Sequence, residues 1–231
     1  TITYTGRDSI NGSVSLFTVK SGTLTLQNVT IETTSAHAVQ AYGAGSTVVL
    51  DGVTINGGKW TAVTVNGGAA EIKNGTALNP KGGAYAAIDF ATTASSNNIP
   101  SLTVDDDVTS NGVGEFVWID TTTMEIIENQ VKTELGGSPT EEQIAAAIND
   151  KLAEQIKGVT VTVQPGDDTA SVPEAPASDD SGDDSGNTSS SRDSGGSGES
   201  ELTRQRREAV NRLWKSTRNA LLEAAAGDVI T

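Results

Sequence analysis

The sequence predicts a mainly β solenoid of about five coils, and three observations predict it. A short pattern recurs as Leu16-Phe17-Thr18-Val19, Ala38-Val39-Gln40-Ala41, Ala62-Val63-Thr64-Val65, Ala87-Ile88-Asp89-Phe90 and Phe116-Val117-Trp118-Ile119. Phe17, Val39, Val63, Ile88 and Val117 correspond, so the steps are 22, 24, 25 and 29 residues, the length of a unit that can cover only its neighbours. Between these copies, short runs rich in Val, Ile and Thr alternate with period two and are separated by Gly, Asn and Asp.

The first coil reads Phe17 and Val19, then Ser21-Gly22, then Thr23 to Leu26, then Gln27-Asn28, then Val29 to Ile31. The second repeats this as Val39 and Ala41, Gly43 to Gly45, Thr47 to Leu50, Asp51-Gly52, and Val53 to Ile55. The third has Val63 and Val65, Gly67-Gly68, Ala70 and Ile72, Asn74-Gly75, and a looser Thr76 to Leu78. Three alternating runs per unit predict a coil with three faces, stacked at about 4.8 Å per coil. Three interior columns follow. One is Phe17, Val39, Val63, Ile88 and Val117; the others are Leu24, Val48, Ala70 and Leu102, and Leu26, Leu50, Ile72 and Val104.

After Ile119 the period lengthens to about 3.6. Met124 to Leu135 places Ile127, Val131 and Leu135 on one stripe, ended by Gly136-Gly137. Ser138-Pro139-Thr140-Glu141 reads as a capping box with Pro at the first helical position. The helix it starts, to about Lys157, aligns Ile144, Ile148, Leu152 and Ile156, and Val159 to Val163 then alternates as a strand. Four segments are expected: coils over 1–120, a helix-helix-strand cap over 121–164, a disordered Ser/Gly/Asp linker over 165–200, and a helix within 201–231 that could open a further module. The cap covers the last coil, because an open rung leaves edges and apolar stacks exposed. The linker holds no large apolar residues to offset the entropy of ordering.

The chain has 231 residues, no cysteine and a net charge of −15. The charge is −9 over 1–164, −8 over 165–200 and +2 over 201–231. An acidic body disfavours nucleic acid and anionic membrane as partners, and no run has the apolar length of a membrane span. Without cysteine there are neither disulfides nor thiolate metal sites. The opening run Thr1 to Gly6 is strand-like, so the chain is expected to be a fragment.

The repeats Gly22 to Ile31 and Ser46 to Ile55 resemble coils of the right-handed parallel β-helix, the pectin-lyase-like fold, in the versions found in large secreted surface proteins of Gram-positive bacteria. The resemblance covers about residues 1–120 and specifies fold rather than function. It implies stacked asparagine at one coil turn; Asn28 and Asn74 fit, and Gly52 stands between them. It also implies a secreted or cell-surface location.

Chemistry-bearing residues are sparse. Catalysis on this fold would need an Arg or Lys base or clustered carboxylates; the coils carry one arginine, Arg7, and scattered lysines, so no catalytic residue is assigned. His37, the only histidine, is expected as an exposed turn residue. Asp105, Asp106 and Asp107 are the candidate cation ligands, with Ca²⁺ the ion; the alternative is a solvated acidic turn. Trp60, Tyr42 and Tyr85 are the candidate carbohydrate-binding rings, weighed against ordinary packing. Trp118 is expected to lie outward, beneath the helical cap. Arg204, Arg206 and Arg207 form a basic cluster, read as anion-binding or as a solvated helix face. The expected function is a non-enzymatic structural or adhesive module that meets a glycan or host surface protein. The alternatives are a polysaccharide lyase or hydrolase whose active coils lie upstream, and a trimeric phage-like spike.

Overall fold

In the computed structural model, which describes residues 1–5, 15–92 and 98–176, strands follow one another in threes. After β1 (Ile2–Tyr4), the first full unit is β2 (Ser15–Val19), β3 (Gly22–Gln27) and β4 (Thr30–Thr33). The second is β5 (His37–Tyr42), β6 (Ser46–Asp51) and β7 (Thr54–Gly57), and the third β8 (Thr61–Asn66), β9 (Ala69–Lys73) and β10 (Ala77–Asn79). The fourth is β11 (Ala86–Ala91), β12 (Ser101–Val104) and β13 (Thr109–Ser110). Then come β14 (Glu115–Ile119), α1 (Thr121–Leu135), α2 (Glu141–Gln155), β15 (Ile156–Lys157) and β16 (Ala170–Val172).

Each sheet takes every third strand. Sheet A runs β1-β4-β7-β10-β13, sheet B runs β16-β14-β11-β8-β5-β2, and sheet C runs β15-β12-β9-β6-β3. Every pairing is parallel except β16 on β14. The fold is therefore mainly β, with three parallel sheets and two helices, an arrangement compatible with a β-helix-like solenoid.

The stacked columns have the expected membership. Phe17 pairs with Val39, Val39 with Val63, Val63 with Ile88, and Ile88 with Val117. In sheet C, Leu24, Val48, Ala70 and Leu102 share one register and Leu26, Leu50, Ile72 and Val104 another. Sheet A adds Ile31, Ile55 and Leu78. These residues form one buried cluster, except that Phe17, Leu24 and Leu26 of the first unit are only partly buried. Each fully buried aliphatic contributes about 1.5–3 kcal/mol. Phe90 is the bulkiest fully buried side chain of sheet B together with Phe116. Phe90→Ala should lower the urea-unfolding free energy by about 3–5 kcal/mol, because neighbours held by the ladder cannot collapse into the void.

The turn between sheets C and A explains the place of Gly52. Asn28 (φ 49°), Gly52 (φ 63°) and Asn74 (φ 54°) all adopt the left-handed conformation. A Cβ on Gly52 would lie 2.8 Å from Asn28 Oδ1, so the asparagine side chain fills the space that glycine leaves. What repeats is the backbone conformation, with glycine an equal solution to asparagine. An amide-carboxylate chain reinforces it: Gln27 Nε2 donates to Asp51 Oδ2 (2.9 Å) and Asn74 Nδ2 to Asp51 Oδ1 (2.6 Å).

The helical region departs from expectation in its boundaries. Helix α1 begins at Thr121, three residues before Met124, because Asp120 caps it by accepting from Thr123 N at 2.8 Å. The buried Thr123 hydroxyl accepts from Thr92 N, tying α1 to the end of β11. The capping box of α2 is centred on Thr140 and Gln143, two residues beyond Ser138, and Pro139 lies before the helix. Helix α2 ends at Gln155, since Ile156 and Lys157 pair with Leu102 and Thr103 in sheet C.

Two further expectations are corrected. Val159 to Val163 is not a strand: Asn149 of α2 binds both backbone groups of Val163, donating from Nδ2 to its carbonyl (3.1 Å) and accepting its N–H (2.7 Å). The linker does not begin at 165, because Ala170–Val172 pairs antiparallel with Val117 to Ile119 and occupies the edge of β14. Residues 177–200 of the expected linker, the helix within 201–231 and Arg204, Arg206 and Arg207 lie outside the described residues. Among the described residues no helix is long and apolar enough to cross a membrane.

Candidate functional site

Sheet B carries the polar and aromatic residues that the hydrophobic columns do not absorb. Its register skips Leu16, Ala38 and Ala62 in β2, β5 and β8, and Ala87 and Phe116 in β11 and β14. The strands bend there. His37 Nδ1 lies 2.6 Å from Thr61 Oγ1 and 2.9 Å from Thr64 Oγ1, and the two hydroxyls are 2.9 Å apart. In a straight strand, residues three apart point to opposite faces with about 10 Å between them, so β8 turns between Thr61 and Thr64.

His37 is therefore not an exposed turn residue. It opens β5 with only 6% of its surface exposed, and burial pushes its pKa down to about 4. Three hydroxyl and imidazole groups saturate one another, and Trp60 seals the cluster edge-on, its ring centroid 6.0 Å from the imidazole at 84°. The repeat pattern gave no sign of this, since His37 lies before the recurring residues.

Trp60 and Tyr85 come together on successive turns. Tyr85 N donates to Trp60 O (3.1 Å), which sets the two residues one register step apart. Trp60 is 39% and Tyr85 41% exposed. Tyr42 is 43% exposed but stands at the far end of β5, in register with Asn66. Five residues of strand, about 16 Å, separate it from the end where His37 meets Trp60. The three candidate rings are thus all exposed, two adjacent and the third at the opposite border of the sheet.

Between the borders runs a register column of Gln40, Thr64, Asp89 and Trp118. The Tyr85 hydroxyl bonds to Asp89, which is only 9% exposed. Burial, and then the neighbouring charge of Asp120, push Asp89 up to about pKa 7, while the Tyr85 hydrogen bond works against them. Asp120 is itself pushed up by burial and held back by its bonds from Thr123. Burial of the Tyr85 hydroxyl, and then the Asp89 charge, raise the tyrosine pKa, although the residue as a whole is partly exposed. Trp118 is half-buried and sits between Asp89 and Ser171 in register, so β16 is its other neighbour on the sheet. In this column Asp89 is the one acidic residue of the recurring tetrads, a legible signal that composition alone obscures.

The acidic run lies elsewhere. Asp105 follows β12, and its N–H donates to Ile72 O while its carboxylate lies 3.4 Å from Asn74 N. Asp106 and Asp107 are exposed at the turn. Asp51 is engaged by the Asn74 and Gln27 amides, which lower its pKa, while Asp89 lies in sheet B and Asp120 caps α1. Among the described residues no group of three or more His, Asp or Glu side chains comes together as a metal ion would need.

The arrangement offers two partly exposed aromatic residues, Trp60 and Tyr85, with the hydroxyls of Thr61 and Thr64 and the Asp89 carboxyl buried and paired beside them. In comparisons with known proteins, no family model, no curated protein and no solved structure matches this chain.

Proposed function

We propose that this chain is a non-enzymatic structural and adhesive module of a secreted or surface-displayed bacterial protein. In this reading it is a right-handed parallel β-helix of the pectin-lyase-like kind, with α1, α2 and the segment after them as its cap. Stacked units hold a fixed array of side chains, and a glycan meets that array on sheet B. The observation that carries the reading is the pair Trp60 and Tyr85, exposed on neighbouring turns beside Thr64 and Asp89. Rigid rings that lose little freedom on binding are suited to sugar faces.

Affinity electrophoresis through gels containing neutral or acidic polysaccharides tests it. The wild type should be retarded by at least one glycan. Trp60→Ala and Tyr85→Ala should each weaken binding roughly five- to tenfold, about 1 kcal/mol or more per ring, in proteins that still unfold cooperatively but at a lower temperature, because Trp60 packs on His37 and the Tyr85 hydroxyl bonds Asp89. Equal mobility of all three proteins in every gel would remove the glycan reading.

One observation favours a hydrolase instead. Asp89 and Asp120 are neighbouring carboxyls, one with a pKa near 7, beside an exposed tyrosine, and glycoside hydrolysis uses such pairs. Reducing ends released in the same incubations, and lost in Asp89→Asn, would replace adhesion by catalysis.

A further inference from the structure

Four Asn-Gly pairs fall among the described residues: Asn56-Gly57, Asn66-Gly67, Asn74-Gly75 and Asn111-Gly112. Asn-Gly is the dipeptide in which the following backbone nitrogen can reach the asparagine side chain, because glycine has no Cβ to obstruct it. The fold treats the four pairs differently. Gly57 lies in β7, registered against Thr33, and the Asn56 amide is held by both Glu32 and Asn79. Gly67 N donates to Ala91 O at 2.9 Å. Gly112 N donates to Ser110 Oγ, and the Asn111 amide is held at both ends, donating to Pro80 O and accepting from Val113 N.

Asn74-Gly75 has no such protection. Both residues are exposed, both have positive φ (54° and 65°), and Gly75 N makes no hydrogen bond among the described residues. Among the described residues the Asn74 side chain has one partner, Asp51, through its nitrogen.

We propose that Asn74-Gly75 is a spontaneous deamidation site that ages this module. The Gly75 nitrogen attacks Asn74 Cγ, the new C–N bond closes a five-membered imide, and the Cγ–Nδ2 bond breaks. The proton lost from Gly75 N leaves with Nδ2 as ammonia. Water then opens the imide at one carbonyl or the other, giving aspartate or isoaspartate, with no net oxidation or reduction. The consequence is local and electrostatic. Nδ2, which donates to Asp51 Oδ1 at 2.6 Å, is replaced by a carboxylate oxygen. That removes one bond of the chain Gln27-Asp51-Asn74 and sets two like charges against each other, with the Asp105 carboxylate already 3.4 Å from Asn74 N. The isoaspartate product also lengthens the backbone at a left-handed turn that the stack requires.

The test is a time course of the full chain in mildly alkaline buffer, folded and in urea, read by peptide mass mapping at each Asn-Gly pair. Folding should slow Asn56 and Asn66 by roughly tenfold or more, since their reaction waits on local opening, and Asn74 by less than about threefold. Slowing of Asn74 to the same degree as Asn56 and Asn66 would overturn the proposal. Asn74→Asp should melt lower than the wild type, and Asn74→Ala should abolish the mass gain in that peptide. A mass gain unchanged in Asn74→Ala would place the reaction elsewhere and refute the assignment.

Discussion

Gly57→Ala should abolish cooperative folding, or lower the unfolding free energy by more than about 4 kcal/mol. A Cβ at Gly57 would stand 2.1 Å from Thr33 O and 2.8 Å from Thr33 Cγ2, and the residue already has a φ of 143°. The obstacle is backbone of the neighbouring strand β4, which is itself stacked on β1, so relief would require two units of sheet A to separate. The comparison that isolates packing from conformation is Gly22→Ala. Gly22 has φ 75° but open space around its Cβ position, so it should cost only about 1 kcal/mol, the penalty of a left-handed alanine. Urea denaturation of both variants reads the difference. A Gly57→Ala protein as stable as Gly22→Ala would mean that the close approach of β7 to β4 is not as described.

The second large effect is a pair of opposing pH limbs buried beneath Trp60 and Tyr85. Asp89 has a folded pKa of about 7, above its unfolded value of 3.8, so the native state holds a proton that the unfolded chain has released. Its contribution is fully present below the unfolded pKa and is lost as pH rises through about 7. His37 is the reverse. Its folded pKa of about 4 lies below the unfolded 6.5, so its contribution is present above 6.5 and is lost as pH falls toward 4. Between these values the two slopes oppose, each reaching at most about 1.4 kcal/mol per pH unit. The wild type should accordingly show a shallow stability profile across this window.

Removing either group should uncover the other. Asp89→Asn keeps a neutral partner for the Tyr85 hydroxyl, and its stability relative to wild type should fall steadily from about pH 7 down to about pH 4. His37→Gln keeps an amide beside Thr61 and Thr64, and its stability relative to wild type should rise over the acid side of about pH 6.5. Asp120, also raised by burial, remains in both variants; it cancels in the difference for His37→Gln, whereas in Asp89→Asn the gap reports the coupled pair Asp89 and Asp120. Melting curves at several pH values measure these gaps. A gap that does not change with pH in Asp89→Asn would show that this carboxyl is ionised in the folded chain.

The fates of individual residues show how much was legible in advance. The column Phe17, Val39, Val63, Ile88 and Val117 was readable because a stacked unit meets its neighbour at the same place each time, so register is a property of the repeat itself. Thr140 and Asp120 were harder, because several capping residues stand side by side and only the helix axis, set by packing, selects among them. Val159 to Val163 alternates as well as any strand here, yet Asn149 takes the backbone groups of Val163, a contact that no periodicity encodes. Trp60, Tyr85 and Tyr42 stood in the sequence only as candidate rings weighed against ordinary packing; their exposure, and their separation into a pair and a lone ring, depend on which coil meets which.

By itself, the sequence determined the repeating β units, their register and their acidic surface, since each follows from local alternation, turn chemistry and composition. The tertiary structure alone decided that His37 is buried against Thr61, Thr64 and Trp60, that Asp89 meets Tyr85 near Asp120, and that Ala170–Val172 covers the edge of β14. Those outcomes join residues from different coils through a bend in the strands. Burial, which sets both the contacts and the proton affinities, exists only once the coils are stacked.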